Sequence, residues 1–82
     1  MAKLLYFATL ADRLGRTAEE VELPAGVTDV RALLAWLRSR GGVWALLLAE
    51  NAVRVTVNRQ FATPDTGIDD RHEIAIVPTG PR

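Results

Sequence analysis

The sequence predicts an α+β fold, a mixed four- to five-stranded sheet with one main helix packed on one face. Three observations carry that expectation. Two strand-like stretches open the chain, an amphipathic helix pattern follows, and further strand patterns close it. The order β-β-α-β-(β)-β pairs the first two strands as a hairpin and sends the helix across the sheet. The last strand then returns beside the first and parallel to it. A single helix with one apolar face covers one face of such a sheet, which is α+β layering.

The first strand, Ala2–Leu10, places Leu4, Tyr6 and Ala8 on one side and Leu5 and Phe7 on the other. Apolar residues on both faces point to a central position in the sheet. Leu10–Gly15 has the length of a helical turn, with Gly15 as its stop. Thr17–Leu23 alternates Val21 and Leu23 against Glu20 and Glu22, a half-exposed strand, with Gly15-Arg16 near the hairpin turn. Pro24-Ala25-Gly26 ends it. Thr28 is the expected helix N-cap, with Asp29 in the first turn. Val30, Leu33, Leu34 and Leu37 fall on one helical face. Arg38 and Arg40 suit the negative end of that helix, and Gly41-Gly42 stops it. Leu46–Leu48 predict a second short helical piece reaching Glu50-Asn51.

Val53–Val57 alternates β-branched residues, a strand. Asn58-Arg59-Gln60 reads as a turn. Pro64 confines any strand in Phe61–Thr66 to an edge. Ile68–Arg71 is a polar turn with one apolar anchor, and Glu73–Val77 is the last strand. The domain is therefore expected over 1–77, with 78–82 as a mobile or extended tail.

Composition removes several functions. The 10 Lys+Arg balance the 10 Asp+Glu, so there is no basic excess for sequence-independent nucleic-acid binding. With 49% hydrophobic and 24% charged residues, the chain is not disordered in type. There is no Cys, hence no disulfide, thiolate nucleophile or Cys-based zinc site. The apolar run Val43–Ala49 is far shorter than the ~20 residues that span a bilayer. The N-terminus lacks the features of a secretory signal, so a cytoplasmic protein with no membrane or nucleic-acid partner is expected. A domain this small buries only roughly 60% of its unfolded surface, which leaves little volume for a deep pocket. A binding or carrier module fits better than a stand-alone enzyme.

Taken in order, Lys3–Ala8, Leu14-Gly15, Val30–Leu33, Val55–Asn58 and Asp70–Pro78 resemble the small subunit of molybdopterin synthase, a ubiquitin-like β-grasp sulfur carrier. The resemblance covers nearly the whole chain. It implies a β-grasp fold and a carrier whose C-terminal glycine carboxylate is adenylated by an activating enzyme using ATP and then converted to a thiocarboxylate. It implies no bound cofactor, and a large catalytic subunit into which the tail threads to give its sulfur to a pterin precursor. The family ends in Gly-Gly, where the chain has Gly80-Pro81-Arg82, and the usual Asp-Gly-Asp-Glu turn reads Asp70-Arg71-His72-Glu73. Pro81 restricts Gly80, and Arg82 adds a charged end. Gly80 can therefore be the reactive terminus only once Pro81-Arg82 are removed. A ubiquitin-like binding module that has lost carrier activity is the alternative.

Phe61, Arg54 and Arg59 are the candidate partner contacts on the body of the domain, with Pro78, Thr79 and Gly80 on the tail. Phe61 can equally pack at the sheet edge. His72 has no Ser, Thr or Cys nucleophile beside it and reads as a solvated turn residue. Asp69, Asp70 and Glu73 lack metal-loop spacing and read the same way. Trp36 and Trp44 read as core or rim packing around the helix, with an exposed anchor as the other use of Trp44.

Overall fold

Alternation along the first strand sets which way the sheet faces. In the computed structural model, which describes residues 1–79, β1 (Ala2–Tyr6) buries Ala2, Leu4 and Tyr6 on one side. Strand β2 (Ala18–Val21) pairs with it antiparallel, and β5 (Glu73–Pro78) pairs with it parallel. Strands β3 (Val53–Val57) and β4 (Gln60–Ala62) complete a five-stranded sheet in the order β2-β1-β5-β3-β4. The sheet is mixed, and β1 is interior to it, as its two apolar faces require. Ile74 lies beside Leu4 and Val57, and Ile76 beside Tyr6 and Val55, so the central strands place their apolar side chains on the same face.

Helix α2 (Val30–Arg38) covers that face with Val30, Leu33, Leu34 and Leu37, all buried. These are the four positions the 3.6-residue period selects. Its N-cap is Asp29, one residue later than expected from Thr28. Asp29 is extended and its carboxylate accepts the Ala32 N–H at 2.8 Å. Thr28 is held instead by its backbone, its carbonyl accepting from the Ile68 N–H. Of two flanking helices, α1 (Ala8–Leu14) adds Leu10 and Leu14 to the same core, and α3 (Val43–Leu47) packs Trp44 and Leu47 partly buried against it, with Leu48 joining the core just after α3. A 3-10 turn at Glu50–Ala52 leads into β3.

Three local departures from the sequence expectation have physical causes. The connection between β1 and β2 is not a tight hairpin turn, because helix α1 fills it. The chain leaves β1 at Phe7 and turns through Ala8 at φ 56, a left-handed conformation that Ala tolerates with its small side chain. Gly15 then stops α1 at φ 78, as expected of a glycine C-cap. Strand β2 ends at Val21, and Leu23 sends its N–H to the Asp70 carboxylate at 3.1 Å. Strand β5 runs one residue past Val77, because Pro78 still pairs with Val53.

Candidate functional site

The second face of the sheet carries no helix. Successive strand residues point to opposite faces, so the register fixes what this face shows. One row crosses all five strands as Ala18, Leu5, Ala75, Thr56 and Phe61. Beside it lie Phe7, Val77 and Arg54, with Val77 directly opposite Arg54. On the other flank Glu20, Lys3 and Glu73 form a charged row. Not one of these residues is buried, and Phe7 and Phe61 remain 46% and 78% exposed. Leu5, Phe7, Thr56, Ala75 and Val77, with Arg59 and Glu73 at the rim, line a shallow depression of about 600 Å³. An apolar surface with a charged rim is the composition of a protein-docking face.

The expected contact residues converge here. Arg54 and Phe61 stand on the open face, in adjacent strands. Phe61 does not pack into the core, because its partner across the ladder is Thr56 on the solvent side. Arg59 sits in the two-residue turn between β3 and β4, where Asn58 and Arg59 have φ of 51 and 71. That paired left-handed geometry suits a tight hairpin and favours Asn-Gly. An Arg in the glycine position is held at a conformational cost, and its side chain is 90% exposed, 3.9 Å from Glu73. Leu5, Phe7, Ala75 and Val77 complete the face and were missing from the candidates. The signal for them was the apolar outer face of β1, which indicates an uncovered apolar surface as readily as a central strand.

Pro78 and Thr79 end the described chain. Thr79 donates both its N–H and its hydroxyl to the Ala52 carbonyl, at 3.1 and 3.2 Å. The chain is thus pinned to the body through Thr79, two residues beyond the expected end of the domain. Gly80, the expected reactive terminus, lies outside the described residues.

Behind the face, a polar cluster locks the sheet to the helices. The Tyr6 hydroxyl donates to Glu19 at 2.6 Å, and Arg40 and Arg16 donate to the same carboxylate. Arg40 also lies 4.4 Å from the centre of the Trp44 ring, which meets Tyr6 edge to face. Burial alone would raise the Glu19 carboxyl. Hydrogen bonds from Arg40 and Tyr6 and the charges of Arg40 and Arg16 outweigh it and hold the group below its ordinary value. Burial and the Glu19 carboxylate push the Tyr6 phenol well above its ordinary range. Trp44 and Trp36 are half-buried rim residues, as expected.

The other candidates are structural. His72 is partly buried, and its Nδ1 accepts the Asp69 N–H at 3.1 Å within the turn before β5. Asp69 pairs with Arg71. Among the described residues, no group of three or more His, Cys, Asp or Glu is placed to hold a metal ion. No helix among them is long and apolar enough to cross a membrane. The open face is apolar and uncovered among the described residues, and β5 leads from it to Pro78 and Thr79.

Comparison with known proteins agrees with that geometry. The model of the ThiS family matches residues 4–80. A candidate molybdopterin converting factor, subunit 1, from Pyrococcus furiosus has a similar structure, with a TM-score of 0.77 and 26% identity over 94% of each chain. Two structures of small archaeal modifier protein 1 from Haloferax volcanii share the fold at 23% identity. Their TM-scores are 0.65 over 94% of each chain and 0.66 over 98% of each chain. No curated protein matches the chain in sequence.

Proposed function

The chain belongs to the ThiS family of ubiquitin-like sulfur carriers, and from that premise we propose that it is the small subunit of a molybdopterin synthase. In this reading it carries sulfur as a thiocarboxylate on Gly80 during molybdenum cofactor synthesis. The observation that carries the proposal is the continuity of the open face with strand β5. Val77 lies in the face, Pro78 ends the strand, Thr79 is held by the Ala52 carbonyl, and Gly80 is the last residue of the family match. The resemblance in sequence and structure to the Pyrococcus furiosus protein favours the molybdopterin pathway among the uses of this fold.

The chemistry follows from what the chain contains. With no Cys, no side chain can hold the sulfur, so it must ride on the main-chain carboxylate. Residues after Gly80 are first cleaved. The Gly80 carboxylate then attacks the α-phosphorus of ATP on an activating enzyme, and pyrophosphate leaves. Sulfide released by a donor attacks the acyl-adenylate carbonyl, the new carbon–sulfur bond replaces the carbon–oxygen bond to AMP, and AMP leaves a thiocarboxylate behind. Glycine leaves the reacting carbonyl unshielded and the tail narrow enough to thread. The large catalytic subunit docks on Leu5, Phe7, Val77, Arg54 and Phe61, with Arg59 at the rim, and takes in Pro78, Thr79 and Gly80. The chain binds no cofactor of its own, and the proposed setting is cytoplasmic.

Pro81 and Arg82 favour a second reading, a docking module that keeps the partner face without carrier activity. Incubation of the full chain and of a chain truncated after Gly80 with the activating enzyme, ATP and a sulfur donor, followed by intact-mass spectrometry, separates the two. The carrier reading predicts a chain ending at Gly80 whose mass rises by one oxygen-to-sulfur exchange. A chain that binds its partners yet never gains sulfur supports the docking module.

A further inference from the structure

We propose that the open face of the sheet also pairs with a second copy of this chain, as a weak, reversible dimer whose two-fold axis runs along β5. Strand β5 is the middle of the five, with β1 and β2 on one side and β3 and β4 on the other. A half-turn about an axis along β5 lays β1 of one copy over β3 of the other, and β2 over β4. The registers then fix which side chains meet. In the central row Phe61 lies over Ala18 and Leu5 over Thr56, the larger side chain over the smaller each time. In the row beside it Phe7 faces Arg54, an aromatic ring under a guanidinium. In the charged row Glu20, on β2, faces Arg59, in the turn between β3 and β4, and symmetry repeats the pair.

Charge selects a second copy as the occupant. Glu20, Arg54 and Arg59 are all exposed. Glu20 and Arg54 have no ion pair among the described residues, and Arg59 has only Glu73 at 3.9 Å. The acidic Glu20 and the basic Arg54 and Arg59 stand on opposite flanks, and the half-turn brings the acidic flank over the basic one. The two Glu73 carboxylates approach at the axis, each flanked in its own chain by Lys3 on β1 and by Arg59. Five strands at ~4.8 Å and three side-chain rows at ~6.8 Å make a patch of roughly 300 Å². That is well below the roughly 800 Å² per partner of a stable complex, so the dimer dissociates on dilution. The carrier reading uses the same face, and there a bound partner displaces the second copy.

Sedimentation equilibrium of the full chain, from about 10 μM to about 1 mM, tests the pairing. A monomer–dimer equilibrium within that range is expected. Glu20→Arg and Arg59→Glu should each weaken it by about tenfold or more, and the double variant should return to within about threefold of the parent. Glu20 and Arg59 lie about three strand spacings apart, roughly 14 Å, so neither can repair the other within one chain. Phe61→Ser should weaken the dimer with no change of charge. Circular dichroism confirms that each variant folds, and Glu20→Lys with Arg59→Asp makes the same exchange where one of the first pair does not. The inference is overturned if the parent is monomeric at about 1 mM, if the single variants associate as the parent does, or if the double variant stays as weak as the single ones. Only this chain is in the cell, so that failure leaves the carrier reading standing.

Discussion

Glu19 gathers side-chain hydrogen bonds from three residues, more partners than any other side chain among the described residues. Its carboxylate receives Tyr6, Arg16 and Arg40 and so joins β1, β2 and the end of α2. Because its folded-state value is depressed below 4.5, the stability it contributes is present above the ordinary carboxylate value. That contribution is lost as pH falls through the lowered one. Glu19→Gln should cost on the order of 1–3 kcal/mol near neutral pH, the range for hydrogen bonds to a charged group. The difference from the parent should shrink in unfolding curves measured below about pH 4. An equal difference at both pH values would contradict the role given to the carboxylate. This cluster was not legible in the sequence, since nothing local relates Tyr6 to Glu19 or Arg40. The positions of Arg54 and Arg59 were legible from a strand pattern and a turn pattern, whereas Phe61 stood open between edge packing and exposure until the ladder set it opposite Thr56 on the solvent side.

At the scale of elements, the strongly periodic pieces were readable and the junctions were not. Helix α2 and strands β3 and β5 follow from spacing alone, because each buries a face whose period the sequence shows. The cap of α2 was ambiguous between two neighbouring residues that both favour N-caps, and only the Ala32 N–H contact decides for Asp29. Asp29→Ala should lower stability by about 1 kcal/mol, and Thr28→Ala by clearly less, as read from urea denaturation midpoints. The reverse order would restore Thr28 as the cap. Helix α1 was foreseen only as a possible turn, since its start depends on the left-handed Ala8, a conformation that carries no residue signature. The open face was half-read. Leu5 and Phe7 were noted as apolar, but which face of a sheet stays uncovered depends on where the helices pack.

For the whole molecule, one side of the sheet holds the core and the other is open, and strand β5 ends at Pro78, two residues before the proposed reactive position. Parallel pairing of β1 with β5 sets Val77 in the apolar rows, and in the proposed carrier reading docking on the face brings the partner to the tail. In the proposed carrier reading, the absence of Cys puts the sulfur on the main chain, and Pro81-Arg82 after Gly80 make cleavage its first step. The most direct measurement is the intact mass of the protein isolated from its native cell. A chain ending at Gly80, as carboxylate or thiocarboxylate, is the predicted result. A chain that retains Pro81-Arg82 in all its molecules would contradict the carrier function.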